Sequence, residues 1–334
     1  MRICIYGAGA IGALMGGKLA AAGHDVTLVA RGAHGEAMQR DGLRLEVKGE
    51  TMHVRPRITD DAAGAASADY VILTMKAHGV SDALARLAPL LGPATTVVSA
   101  QNGLPWWYFH KIGGPLEGRA LNSVDPGGAA LRAIPVERVL GCVVIGASAI
   151  VAPGLVRTAT GGSFTLGEPD GVVSDRARGL AAAFEGAGFG ARVSARIRDD
   201  IWAKLWGNVS FSALAVLTGS GLASLADDLA TAALARAIMA EARAVAETLG
   251  ARLPMSIDQR IEQTKRMGDH KTSILQDLEA GRPMEVDAMI GCVVEAGRIA
   301  GVATPLIDGI YGLVRRRARV AGCYPENPTF DPIR

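Results

Sequence analysis

Short apolar runs bounded by glycine dominate the first half of the chain. Arg2 to Tyr6 (RICIY), Asp25 to Ala30 (DVTLVA), Asp69 to Thr74 (DYVILT) and Thr95 to Ser99 (TTVVS) have the length and β-branched content of buried strands. Leu43 to Val47 and Met52 to Arg57 read as a hairpin-like pair around Lys48-Gly49-Glu50, and Arg138 to Ile150, Leu155 to Ala159 and Ser163 to Leu166 as strands that extend the sheet around the Pro153-Gly154 turn. Ser174 to Glu185 is expected to be a helix capped by Ser174, and Gly188 to Val193 a last short strand. From Arg196 onward strand signals stop. Helices are predicted over Asp199 to Leu217, Ala226 to Leu249, Ile257 to Arg266 and Ile274 to Ala280, with two more within Val286 to Arg319, parted by Gly and Pro breakers. The pattern therefore predicts an α/β domain over 1–195 and an all-helical domain over 196–334.

Composition adds limits rather than detail. A chain of 334 residues, 49% hydrophobic and 20% charged, is a globular protein with enough length for two cores. Its net charge of +2 gives no reason to invoke nucleic acid, and the basic run Arg315 to Arg317 reads as the solvated end of a terminal helix. The four cysteines are widely spaced without a CxxC, so neither a metal site nor a disulfide is expected. A strand begins at once with no signal-peptide pattern, and no apolar run reaches the ~18 residues of a membrane span, so a cytoplasmic protein with no membrane partner is expected.

The first candidate chemistry is Gly7-Ala8-Gly9-Ala10-Ile11-Gly12, a GxGxxG between a strand and a small-residue helix that runs to Ala22. Gly7 permits the tight turn, Gly9 admits a pyrophosphate to the backbone, and Gly12 lets helix and strand pack closely, with the helix N-terminus facing the phosphates. The domain is thus expected to be Rossmann-type. Arg31 follows the second strand, where a free ribose 2′-hydroxyl would call for an acid and a 2′-phosphate for an arginine, which argues for NADPH. Lys76 and Asn102 follow the next two strands, where ligands of open α/β sheets bind. The run Leu-Pro-Trp-Trp-Tyr-Phe-His at 104–110 reads as an active-site cover, a subunit contact or a packed core cluster.

In the helical half, Lys204, Asn208 and Ser212 recur every four residues inside an otherwise apolar helix, which stacks three polar groups on one face. Reduction of a ketone needs a proton donor to its oxygen, and a partly desolvated lysine can be tuned for that work, although a lysine snorkelling from an amphipathic helix has the same pattern. Asn208 and Ser212 offer uncharged hydrogen-bonding groups to a carboxylate or hydroxyl. Thr272-Ser273 reads as a cap or a carboxylate ligand, and Glu285 and Asp287 as acids placed to complement a helix dipole.

Taken together, GAGAIG at 7–12, Arg31, Lys76, QNG at 101–103, KLWGN at 204–208, TSILQD at 272–277 and MEVD at 284–287 resemble the ketopantoate reductases (2-dehydropantoate 2-reductases), in the family's order and over nearly the whole chain. The resemblance implies a Rossmann domain followed by a 6-phosphogluconate-dehydrogenase-like helical bundle. It implies NADPH-dependent reduction of 2-dehydropantoate to pantoate for pantothenate and coenzyme A synthesis, with Lys204 as proton donor. It further implies that Asn102 contacts cofactor and substrate, that Asn208 and Ser273 bind substrate, and that Glu285 touches the cofactor and helps order the lysine. Ser212 stands where better-known members carry a second asparagine, and the Trp106–Arg138 segment is longer than in compact members. Reduction of another branched or aromatic 2-keto acid is therefore an alternative, as is a non-catalytic NADPH-binding protein on the same fold. The apolar faces of the helical half also leave a homodimer as a candidate assembly.

Overall fold

The computed structural model describes residues 1–62, 68–159, 161–326 and 330. The chain divides into two compact units. One comprises Met1–Gln101, Phe109–Arg119 and Ala129–Ile197, the other Asn102–Tyr108, Ala120–Gly128 and Arg198–Arg334.

Among the described residues the first unit has twelve strands: β1 (Arg2–Tyr6), β2 (Asp25–Val29), β3 (Leu43–Val47), β4 (Glu50–Val54), β5 (Arg57–Thr59), β6 (Tyr70–Leu73), β7 (Thr96–Ser99), β8 (Val139–Ile145), β9 (Ala149–Ala152), β10 (Leu155–Thr158), β11 (Ser163–Gly167) and β12 (Gly190–Val193). Eight form one sheet in the order β12-β11-β8-β7-β6-β1-β2-β5. Its pairs are parallel except β8 with β11. Strands β6 and β7 are buried end to end and β1 from Ile3 to Tyr6, as expected of a sheet covered on both faces. Chain order reverses at β1, which runs from β1 to β2 on one side and to β6 on the other, and such a switch point opens a crevice at the carboxyl ends of the strands.

The segment read as one strand over 138–150 is two. Gly146 at φ 147° ends β8, and β9 pairs instead with β10 in a separate four-stranded sheet of order β4-β3-β10-β9. The hairpin at 43–54 contributes β3 and β4 to that sheet, while β5 joins the edge of the large one. The helix Asp175–Gly186 is capped as read, with the Ser174 hydroxyl accepting from the Ala177 N–H at 3.2 Å. Beneath it a buried carboxylate organises the turn. Glu168 accepts from Arg176 Nε at 2.6 Å and Nη2 at 2.5 Å, and from the Ser174 hydroxyl at 2.6 Å.

In the second unit the regular elements among the described residues from Arg198 on are all helices. Helices at Ile257–Arg266, Ser273–Glu279 and Pro305–Val320 fall where the sequence places them. The region expected to be one helix over 226–249 is interrupted, because Asp228 leaves helical geometry (φ −72°, ψ 126°) and its carboxylate caps Leu229–Thr248 by accepting from the Thr231 N–H at 2.8 Å. Two noncontiguous segments are tied to this unit by side chains. Arg198 Nε donates to the Tyr108 carbonyl at 2.9 Å and Trp202 Nε1 to the Tyr108 hydroxyl at 2.7 Å. The carboxylate of Glu295, 9% exposed, accepts from the N–H groups of Asn122 and Ser123 at 2.8 Å each.

Candidate active site

In the first unit the glycine loop leaves β1 for the helix Ala10–Ala21. Gly7 sits at φ 99°, and a Cβ there would lie 2.6 Å from the Met75 backbone nitrogen, so both backbone conformation and packing require glycine. A Cβ on Gly12 would lie 2.4 Å from the Thr74 hydroxyl, which itself donates to the Gly7 carbonyl at 2.8 Å. Gly9 differs. A Cβ there would meet nothing nearer than the Gly7 carbonyl at 3.9 Å, so the open space in front of it is what a diphosphate approaching the backbone requires. Ala8 is buried behind the loop, while Ala10 and Ile11 open the helix whose first N–H groups have no intrahelical acceptor. Arg31 is exposed two residues beyond β2, and Lys76 is half-buried after β6. The residues fit a nicotinamide dinucleotide, with an open phosphate cradle at a helix N-terminus and an exposed guanidinium beyond the carboxyl end of β2.

The second unit holds the polar cluster. The helix Ile197–Gly207 is fixed about its axis by two indoles, Trp202 and Trp206, whose Nε1 atoms donate at 2.7 Å to the Tyr108 hydroxyl and the Met239 carbonyl. Lys204 lies midway between them in sequence, so it projects from the opposite side of the helix, and it is half-buried rather than enclosed. Its ammonium donates to Asn102 Oδ1 at 2.7 Å, and Asn102 Nδ2 donates to Glu285 Oε2 at 3.2 Å. The two ends of one amide thus face opposite charges, which fixes its orientation.

The four-residue spacing of Lys204, Asn208 and Ser212 meets a change of helix type. Asn208–Ser212 is a π-helical segment, whose wider turn still leaves residues four apart near one face. Asn208 is half-buried and Ser212 is 3% exposed. A second π segment, Asp287–Gly291, follows Glu285 and packs on the first. Ser273 is exposed at the first turn of Ser273–Glu279, and Thr272 occupies the cap position without a side-chain cap bond. The structure therefore joins Lys204, Asn102 and Glu285 through hydrogen bonds and places Asn208, Ser212 and Ser273 on elements of the same unit. The aromatic run is core: Trp106, Trp107, Tyr108 and Phe109 are at most 4% exposed.

Matches to known sequences decide the lineage. The family model described as ketopantoate reductase PanE/ApbA covers residues 3–171, and its C-terminal counterpart covers 196–318. The chain belongs to the ketopantoate reductase family. A 2-dehydropantoate 2-reductase of Mesorhizobium japonicum is 51% identical over 97% of this chain and 100% of that protein. One from Halobacterium salinarum is 30% identical over 96% and 99%. A crystal structure from Ralstonia solanacearum, described as a ketopantoate reductase candidate, superposes with a TM-score of 0.91 at 45% identity, covering 97% of this chain and 99% of that one. For a ketopantoate reductase family member, a Rossmann-type parallel sheet and a C-terminal helical unit are the expected parts, and both are present.

Two residues of the quoted motifs have contacts that the sequence does not announce. Gly103 (φ 86°) looks like any Asn-Gly turn, yet a Cβ on it would lie 1.8 Å from the Ala288 carbonyl. Asp287 reads as helix-dipole complement, yet it accepts from the hydroxyls of Tyr311 at 2.6 Å and of Tyr324 at 2.9 and 3.0 Å, and burial raises its carboxyl pKa. Among the described residues no helix is long and apolar enough to cross a membrane, and no group of three His, Cys, Asp or Glu side chains is placed to hold a metal.

Proposed function

We propose that this protein reduces 2-dehydropantoate to pantoate with NADPH, using Lys204 as the proton donor. The observation that carries the reading is the Lys204–Asn102–Glu285 array, with its 2.7 and 3.2 Å hydrogen bonds. NADPH supplies the hydride that reduces C2 of the keto acid. Lys204 gives a proton to the carbonyl oxygen as charge develops on it, and Asn102 Oδ1 holds the ammonium in place beforehand. Glu285 acts on Asn102, keeping its Nδ2 turned away so that Oδ1 stays toward the lysine, and it contacts the cofactor. Asn208, Ser212 and Ser273, with Asn102, bind the substrate. Residues 1–195 serve the cofactor: Gly7 to Gly12 and Arg31 hold phosphates, with Lys76 and Asn102 completing the set. Residues 196–334 serve the substrate.

The preference for NADPH is supported by Arg31 in place of an acid after β2. A cytoplasmic enzyme accords with four buried free thiols, two of them, Cys4 and Cys292, with pKa values raised to about 12 by burial. A homodimer is part of the same reading and is tested by light scattering.

A panel of 2-keto acids, with NADPH consumption followed on the wild type and on Lys204→Ala, tests substrate and proton donor together. 2-Dehydropantoate is expected among the best substrates. If a branched or aromatic 2-keto acid exceeded it by a wide margin, the substrate assignment would fail and the buried Ser212 would be the first position to examine.

A further inference from the structure

We infer that the C-terminal segment Cys323–Tyr324 is a positioning clamp for the proton-donating array, holding the turn that carries Glu285 and the seat on which Asn102 rests. The inference builds on the proposed function above.

Glu285 lies in irregular backbone between the helix Ser273–Glu279 and the π segment Asp287–Gly291, anchored on its C-terminal side by its carbonyl, which accepts from the Met289 N–H at 3.0 Å. Two contacts from one distant stretch of chain bracket it. One residue before Glu285, the Met284 N–H donates to the Cys323 carbonyl at 2.8 Å. Two residues after it, the Asp287 carboxylate accepts from the Tyr324 hydroxyl at 2.9 and 3.0 Å, with the Tyr311 hydroxyl at 2.6 Å as a second donor. Met284, Val286 and Cys323 are each at most 1% exposed, so the Met284 end of the bracket is closed to water, while Asp287 and Tyr324 at the other end are half-buried.

The same bracket reaches Asn102. Gly103 lies so near the Ala288 carbonyl, one residue past Asp287, that a Cβ would fall 1.8 Å from it. A displacement of the first turn of the π segment therefore moves both partners of the Asn102–Glu285 hydrogen bond, and Lys204 is held by the other end of that amide. π segments have less regular hydrogen bonding than α-helix, which makes an external fixing point worth more there. Tyr324 is itself held: the Arg319 and Arg315 guanidinium carbons lie 4.9 and 5.4 Å from its ring centroid, and Arg319 pairs with Glu326 at 2.8 Å.

Tyr324→Phe removes one hydroxyl and leaves the ring between its arginines. The expected result is kcat lower by about tenfold, KM for NADPH unchanged, and a larger solvent deuterium isotope effect on kcat, because misplacing the donor slows proton transfer in particular. Deleting residues 323–334 should act in the same direction by roughly a hundredfold. Asp287→Asn, which keeps an acceptor for both phenols, should stay within about threefold of wild type. A folded Tyr324→Phe protein with wild-type kcat and isotope effect overturns the clamp. So does a loss of kcat matched by an equal loss of NADPH-binding stoichiometry with no change in isotope effect, which would report only less folded protein. Amide hydrogen exchange separates this from the function itself: Tyr324→Phe should speed exchange at 284–288 and 102–104 by about tenfold while sparing β1. If that occurs in a protein that turns over no 2-keto acid, the functional reading fails and the clamp stands; unchanged exchange sinks the clamp whatever the substrate.

Discussion

Replacing Gly103 with alanine should damage catalysis far more than its single methyl group implies. The residue sits at φ 86°, where a side chain costs about 1–2 kcal/mol in backbone strain. The new Cβ would lie 1.8 Å from the Ala288 carbonyl, against a floor of 3.0 Å for real contacts, so one side must retreat by about 1.2 Å. Ala288 is 4% exposed within the packed π segment, which leaves the 102–103 stretch to move. A shift of that size along the bond would stretch Lys204 Nζ to Asn102 Oδ1 from 2.7 Å to about 3.9 Å, beyond hydrogen-bond range. A misplacement of about 1 Å in a catalytic array costs on the order of a hundredfold, so kcat should fall by about that factor. Stability should fall by about 2–3 kcal/mol, the strain plus one charge-assisted hydrogen bond partly regained from water. Steady-state kinetics with 2-dehydropantoate and a denaturant melt measure the two effects. Wild-type kcat in a protein of wild-type stability would refute the argument, because it would mean that neither the positive φ nor the backbone contact constrains Asn102.

Three further substitutions test separate parts of the structure. Lys204→Ala should lower kcat by about 10²–10⁴-fold while NADPH still binds, as fluorescence titration would register; substantial turnover would remove Lys204 from the proton-transfer role. Arg31→Asp should shift cofactor preference from NADPH toward NADH by at least tenfold in kcat/KM, and an unchanged ratio would show that the 2′-phosphate is read elsewhere. Glu168→Gln leaves the Arg176 guanidinium with a neutral partner beneath the Asp175–Gly186 helix and should cost about 2–3 kcal/mol by thermal or denaturant melting, with kcat in the folded protein retained. A melting curve that superposes on wild type would show that the pair contributes no net stability.

Features that neighbouring residues encode are legible in the chain alone. Strand runs such as RICIY and DYVILT, the glycine loop, the Ser174 cap and the boundaries of Ile257–Arg266 depend on interactions within a few residues, and all are found where they were read. Family motifs also singled out Lys204, Asn102 and Glu285, which the fold joins by hydrogen bonds. Tertiary structure decided the rest. The Asn102 partners are 102 and 183 residues away along the chain, the Asn122–Glu295 bond spans 173, and nothing in local periodicity records such pairings. Spacing by four predicted one stacked face for Lys204, Asn208 and Ser212, but nothing in that spacing announced the π segment that carries the last two. Asp228 split a continuous helical pattern because a local cap competed successfully with the helix. Asp287 and Gly103 stand in the MEVD and QNG motifs, but their contacts are equally invisible to local pattern. The phenols that bind one and the carbonyl that crowds the other come from chain segments that only folding brings within reach.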